Sequence, residues 1–155
     1  MTVLAWDGHT LAADGRITAG GDIETDNTIK IYCFKKENVG YMGDRLLALA
    51  VSGACKDVDK LIVHMLNNGL GTDSEIKHEV AGIIIGEANA YSLEFDSNWL
   101  IRYPKKTLLA EGSGRLWALS ALRLGKNSKE AVKHAIANST SCGGKIREWT
   151  EWTEK

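Results

Sequence analysis

Asp7-Gly8-His9-Thr10-Leu11-Ala12-Ala13-Asp14 is the stretch on which the reading of the fold turns. Asp-Gly is a strong turn pair. It stands between residues 2–6 and 10–14, two short runs of strand formers, so a β-hairpin is expected at the amino end. A Gly-rich turn at Gly20-Gly21 follows, and residues 29–34 and 46–52 then read as two more strands around a polar loop.

Further along, the period changes. Val58, Leu61, Ile62, Met65 and Leu66 recur at helical spacing, which predicts a helix over residues 54–68 with Gly69 as its stop. Residues 79–85, 90–95 and 99–103 read as a second set of strands, and the run Ile83-Ile84-Ile85 suits a strand covered on both faces. A short strand over 107–110 ends at Gly112-Ser113-Gly114. Residues 115–124 read as a helix stopped by Gly125, and Asn127 with Glu130 resembles a capping box opening another helix to about Asn138. Residues 145–149 read as a last strand. This order is not the regular βαβα alternation of a doubly wound parallel sheet. It suits two antiparallel sheets with helices outside them.

Pro104 is the one proline in 155 residues, and there is no repeat, low-complexity tract or linker, so a single domain over 1–155 is expected. A chain of this size buries a core without disulfides or metals. Lys and Arg number 19 against 20 Asp and Glu, and the longest basic clusters, Lys35-Lys36 and Lys105-Lys106, are only pairs. Neither nucleic acid nor a membrane is therefore expected as a partner. No apolar run nears the roughly 20 residues that span a bilayer, and no signal peptide is expected. Cys33, Cys55 and Cys142 are odd in number and lack CxxC spacing, which favours free thiols and a cytoplasmic location.

Thr2 follows the initiator Met. Once Met1 is removed, Thr2 bears an α-amine of pKa roughly 7.7–8.0 beside its own hydroxyl. A threonine activated by its own amine is a recognised nucleophile.

The hairpin closely resembles the Asp-Gly-Val-Val-Leu-Ala-Ala-Asp hairpin of proteasome β subunits. Thr2-Val3-Leu4-Ala5-Trp6-Asp7-Gly8 is similar, without a gap, to the Thr-Thr-Ile-Ala-Trp/Tyr-Asp-Gly opening of small phage and bacterial relatives. The resemblance, to the proteasome β-subunit and HslV-like N-terminal-nucleophile (Ntn) hydrolases, runs from Thr2 to about Gly144. It implies an α+β fold, a four-layer αββα sandwich with two antiparallel sheets between helix layers. It implies that Thr2 is the nucleophile, that Lys30 polarises the threonine hydroxyl and helps proton transfer, and that Asp14 orients Lys30. Leu49-Ala50-Val51-Ser52-Gly53-Ala54-Cys55-Lys56-Asp57 resembles the family's strand-to-helix junction, whose glycine N–H donates to the oxyanion. That role falls on Gly53, beside a helix N-terminus that favours developing negative charge. Thr18, Ser52 and Ala54 are the substrate-binding positions that the resemblance implies. Glu111-Gly112-Ser113-Gly114 resembles the family's Gly-Ser-Gly turn, with Ser113 supporting the nucleophile.

One segment departs from the pattern. The family shows Asp-x-x-Ser-Gly-Gly where this chain has Ser139-Thr140-Ser141-Cys142-Gly143-Gly144. Ser139 replaces the carboxylate and Cys142 the serine, groups that in the family orient the threonine and its amine. Cysteine keeps the size of serine but hydrogen-bonds weakly. Without the resemblance, Asp14 would cap a turn, Lys30 would face solvent on an edge strand, and Gly53 would belong to a tight helix-capping connection.

If Thr2 and Asp14 serve one site, strand alternation constrains the turn. A two-residue Asp7-Gly8 loop pairs Thr2 with Ala13 and sends Asp14 to the other face. A three-residue Asp7-Gly8-His9 loop, with Gly8 left-handed in a bulge, pairs Thr2 with Asp14 and is the expected form.

Other residues carry less. His9, His64, His78 and His134 lack metal-ligand spacing, and Asp22, Glu24 and Asp26 lack a calcium ligand set, so no metal or cofactor is expected. Cys55 reads as a small buried residue near a helix start, and Trp149 and Trp152 as packing or interface residues. Gly112-Ser113-Gly114 also fits the start of a dinucleotide loop, but Trp117 occupies its third glycine position and the turn comes too late in the chain. The leading expectation is a threonine peptidase acting on peptide or protein substrates. The resemblance implies a homo-oligomer, with a ring and an unfolding ATPase as further expectations. The alternative is a catalytically inactive Ntn-fold protein with an assembly or binding role, in which a retained Met1 blocks the Thr2 amine.

Overall fold

The computed structural model describes residues 2–19, 22–34, 37–53, 55–68, 80–93 and 100–151. Gly20-Gly21, Lys35-Lys36, Ala54, Gly69, His78, Trp152, the strand ends expected at 79, 94–95 and 99, and the side chains of Cys55 and His64 lie outside the described residues.

The hairpin forms β1 (Val3–Trp6) and β2 (Thr10–Ala13). Next come β3 (Ile17–Ala19), β4 (Asp22–Thr25), β5 (Ile31–Cys33), β6 (Gly40–Tyr41) and the long β7 (Asp44–Gly53), which leads into α1 (Cys55–Asn68). Then follow β8 (Val80–Gly86), β9 (Asn89–Leu93), β10 (Leu100–Pro104), β11 (Leu109–Gly112), α2 (Arg115–Arg123), α3 (Ser128–Asn138) and β12 (Arg147–Thr150). One sheet has the order β11-β1-β2-β12 and a second β10-β9-β8-β7-β5, with β6 also on β7; every pairing is antiparallel.

Alternation along the strands divides the core. Leu4, Trp6, Leu11 and Ala13 of the first sheet share one apolar cluster with Ala48, Ala50, Ile83 and Ile85 of the second and with Trp149. Val3, Ala5 and Ala12 point the other way, into a cluster with Ala118, Ala121 and Leu122 of α2 and Ala131, Val132 and Ala135 of α3. The small alanines let those helices approach the sheet closely. Leu49, Val51, Ile84 and Tyr91 form a third cluster with Val58, Leu61 and Met65 of α1. Ile83 and Ile85 thus face one cluster and Ile84 another, and all three are fully buried. Each such side chain contributes about 1.5–3 kcal/mol over exposure.

The hairpin is not closed by the expected three-residue loop. Leu4 pairs with Ala13 and Trp6 with Leu11, and Asp14 N–H donates to the Val3 carbonyl at 3.2 Å. Val3, not Thr2, lies opposite Asp14. The cause is the Asp7 side chain. Its Oδ1 accepts the N–H groups of His9 (2.9 Å) and Thr10 (2.7 Å), so Gly8 and His9 form the centre of a turn with Asp7 and Thr10 at its ends. Gly8 does take the left-handed backbone expected of it, at φ +92°. The second Asp7 oxygen accepts Ser128 N–H at 2.9 Å, tying the hairpin tip to the first turn of α3, where partial positive charge favours a carboxylate.

The β3–β4 hairpin and β6 were not expected. β4 is exposed at all four positions and carries Asp22 and Glu24, so it shows no buried stripe for a periodicity argument to find.

Candidate active site

Thr2 precedes β1, Asp14 follows β2, and Lys30 precedes β5. All three are buried, at 4%, 1% and 5% exposure. Lys30 Nζ donates to Thr2 Oγ1, to Asp14 Oδ1 and to the Arg16 carbonyl, each at 2.7 Å. Three oxygens match the three N–H bonds of an ammonium, and the Asp14 carboxylate among them favours that charged form. The buried Lys30–Asp14 ion pair is therefore fully hydrogen-bonded on the lysine side. Asp14 is also well supplied. Oδ1 takes Val3 N–H at 3.2 Å as well, and Oδ2 takes Gly143 N–H at 3.1 Å.

This explains how Asp14 reaches Thr2 despite the register. Strand alternation stops mattering once β2 has ended at Ala13, because Gly15 N–H turns away to the Gly143 carbonyl at 3.0 Å. The Asp14 carboxylate and the Thr2 hydroxyl then meet at one ammonium.

On the other side of Thr2 lies the Gly112-Ser113-Gly114 turn. Thr2 N–H donates to Ser113 Oγ at 3.2 Å, and the Thr2 carbonyl accepts from Ser113 Oγ at 3.3 Å and Gly114 N–H at 3.2 Å. Gly112 has φ +94°, and a Cβ there would press into the Thr2 carbonyl oxygen. Glycine is required at 112 both by its backbone and by the close approach of Thr2.

Arg16 braces the floor. Its guanidinium holds Asp26 in a two-pronged pair at 2.7 and 3.2 Å and donates to the Thr140 carbonyl at 2.9 Å. The hydrogen bond from Arg16 holds the Asp26 carboxyl below its ordinary range, and the same bond raises Arg16.

The remaining expected positions fall as follows. Lys30 O accepts Val51 N–H at 3.1 Å, which sets Lys30 two residues along β7 from Gly53. Gly53 is exposed at the end of β7 with φ +151°, and Ser52 is half-buried beside it. Thr18 is half-buried in β3, and Ala54 lies outside the described residues. Ser139 and Cys142 both reach the Ser113 neighbourhood. Ser139 Oγ is 2.9 Å from Ser141 Oγ, which is 3.2 Å from Ser113 Oγ, and Cys142 Sγ is 3.9 Å from Ser113 Oγ. Ser141, Arg16 and the N–H groups of Val3 and Gly143 are participants that residue patterns did not single out. The hydroxyl-rich run Ser139-Thr140-Ser141 was the available signal for the first, whereas a backbone donor has no letter of its own. Among the described residues there is no cluster of three or more His, Cys, Asp or Glu able to hold a metal, and no helix is long and apolar enough to cross a membrane.

No protein-family model and no curated protein sequence matches the chain. Solved structures do. Eukaryotic HslV from Trypanosoma brucei superposes with a TM-score of 0.70 at 14% identity, covering 96% of this chain and 97% of that one. BPH from Thiobacillus denitrificans superposes at 0.65 and 16% identity, covering 96% of each chain. Its complex with epoxomicin gives 0.67 and 16% identity, covering 96% of this chain and 97% of that one. Helices on antiparallel sheets, with Thr2, Asp14 and Lys30 gathered at the sheet ends, thus agree with a likeness over nearly the whole length: the chain has the fold of the HslV/proteasome-like Ntn hydrolases.

Proposed function

We propose that this chain is a threonine-type amide hydrolase, a peptidase, whose nucleophile is Thr2 once Met1 has been removed. One observation carries the reading: a single buried ammonium, on Lys30, bridges the Thr2 hydroxyl and the Asp14 carboxylate at 2.7 Å each. As an ammonium paired with Asp14, Lys30 has no lone pair with which to take the threonine proton. The base is then the Thr2 amine itself, which is poised near neutral pH.

In the proposed reaction Thr2 Oγ1 attacks the peptide carbonyl carbon while its proton passes to the α-amine. Lys30 steadies the charge on Oγ1, and the Gly53 N–H receives the oxyanion. Collapse breaks the C–N bond, and the ammonium returns its proton to the leaving amine. The Thr2 ester is then opened by water, with the amine again taking and returning one proton. Asp14 and Ser113 hold the lysine and the amine in place, and Thr18, Ser52 and Ala54 line the substrate's path.

Around this site we propose a single domain over 1–155, arranged as a four-layer αββα sandwich: α2 and α3, two antiparallel sheets, then α1. The three apolar clusters that link these elements support it. A cytoplasmic homo-oligomer, as a ring, with an unfolding ATPase as partner, completes the proposal. The location rests on the cysteine pattern, and the assembly on the family resemblance of the Thr2–Asp14 segment.

A second reading keeps the fold without the chemistry, as an assembly or binding protein. Ser139 and Cys142, standing where the resembling family has a carboxylate and a serine, favour it. Epoxomicin, present in a complex of the T. denitrificans protein, separates the two. On the first reading it forms an adduct at Thr2 that is lost in Thr2→Ala, together with peptide hydrolysis. Hydrolysis that survives in Thr2→Ala, or native protein whose intact mass still includes Met1, would defeat it.

A further inference from the structure

Behind Thr2 the hydroxyls continue further than one supporting serine. Thr2 N–H donates to Ser113 Oγ at 3.2 Å, Ser113 Oγ lies 3.2 Å from Ser141 Oγ, and Ser141 Oγ lies 2.9 Å from Ser139 Oγ. Thr2 is buried, Ser113 is exposed, and Ser139 and Ser141 are half-buried. The row therefore meets the surface at Ser113 and continues from there through two half-buried hydroxyls. Cys142 Sγ flanks it at 3.9 Å from Ser113 and 4.0 Å from Ser141, and a thiol is too weak a partner to displace a hydroxyl.

A hydroxyl has one proton to give and two lone pairs to receive. A row of three can therefore run in either direction. Running outward, Ser113 accepts from an ammonium on Thr2 and turns its one proton from the Thr2 carbonyl, which keeps the Gly114 N–H, to Ser141, and Ser141 donates to Ser139. Running inward, Ser139 donates to Ser141, Ser141 to Ser113, and Ser113 to the lone pair of a neutral amine. Each bond polarises the next. A carboxylate in the same place can only accept, so it serves the ammonium alone.

The geometry points to Ser141 as a positioning residue: it joins Ser113 to Ser139 in a reversible hydroxyl relay that serves both protonation states of the Thr2 amine. This deepens the proposed function and rests on Thr2 being an N-terminal nucleophile. Charged and titratable groups stand on the elements around the amine. They are the Lys30 ammonium on Thr2 Oγ1, Asp14 behind it, and Arg16 with Asp26 beneath. Glu111 of β11 is bound to Ser92, Arg115 opens α2 in the residue after Gly114, and His134 of α3 is exposed against Trp117. Arg16 also holds the Thr140 carbonyl at 2.9 Å, which steadies the loop carrying both serines.

The test titrates the amine directly. The chain is made with a cleavable leader so that Thr2 is its first residue, with isotope-labelled threonine, and the Thr2 amine nitrogen is followed by NMR against pH. Ser139→Asp places an acceptor-only group at the far end of the row and is expected to raise the amine pKa by about half a unit or more. Ser141→Ala in that background is expected to remove more than half of the rise, and Ser141→Thr, which keeps a hydroxyl, to preserve it. A rise that survives Ser141→Ala undiminished would mean that the carboxylate acts across space, and would overturn the relay. Epoxomicin labelling of the same samples reads the parent proposal separately. A Thr2-first protein that takes no label defeats the peptidase reading, whereas the titration decides the relay whether or not label is taken.

Discussion

Two buried carboxylates, Asp14 and Asp44, receive three donors each and do different things with them. Asp14 takes Val3 N–H, Gly143 N–H and the Lys30 ammonium. Asp44, at the opposite end of β7, takes Ala88 N–H (3.0 Å), Asn89 N–H (3.1 Å) and the Tyr91 phenol (2.8 Å). Lys30 meets β7 at Val51, seven residues from Asp44, so the two sites are roughly 20 Å apart. The backbone donors are equivalent. The third donor separates the sites. A phenol delivers one hydrogen bond and ends there, so Asp44 staples the β8–β9 turn. An ammonium has two more bonds to give, and one of them reaches a hydroxyl on the nucleophile candidate.

The largest expected effect breaks this contrast at its centre. Lys30→Met leaves Asp14 as an uncompensated buried charge and should cost about 3–5 kcal/mol in urea unfolding. On the proposed reading it also abolishes epoxomicin labelling of Thr2. A cost no greater than that of the Asp44 variant would erase the distinction. Asp44→Ala comes next. It orphans two N–H groups and a phenol, for about 1–3 kcal/mol, yet should leave labelling at Thr2 unchanged at temperatures where the variant is folded.

Third is a pH effect at the staple. Burial, and then the hydrogen bond to Asp44, push the Tyr91 phenol up to about 12 from 10.0. A proton held more tightly in the folded state stabilises it fully below pH 10, and that stability is lost as pH rises toward about 12. Denaturant midpoints should fall across that interval, and Tyr91→Phe should flatten the fall. The smallest effect lies under the nucleophile candidate. Asp26 is lowered by Arg16, so its contribution is present above its ordinary 3.8 and lost as pH drops through the lower folded value. The pair is partly exposed, at 18% and 46%, so Arg16→Gln should move the acid midpoint only slightly.

The long elements were legible in the sequence because they carry strong periodicity. The Ile83–Ile85 run, the α1 stripe apart from the exposed Leu66, and the Asn127 cap appear where the pattern put them; Asn127 Oδ1 accepts Glu130 N–H at 2.9 Å. Thr2, Asp14, Lys30 and Ser113 were named from a motif, and the structure brings them within one hydrogen-bonded group. What escaped depends on groups that a one-letter pattern does not show. The hairpin register is decided by where a single Asp7 oxygen bonds, and a parity argument cannot see that. Asp14 is held by a backbone N–H from Gly143, 129 positions away. β4 offered no buried face, and no pattern distinguishes Ser141 from the hydroxyl residues before it.

Saturation of Lys30 has a consequence for the molecule's reactivity toward acylating reagents. Such reagents need an accessible nitrogen, and Lys30 Nζ is buried with its contacts taken by three oxygens. Surface lysines will therefore be modified while Lys30 is spared. A freed Thr2 amine, a few ångströms from that protected lysine, would be the reactive nitrogen of the pair.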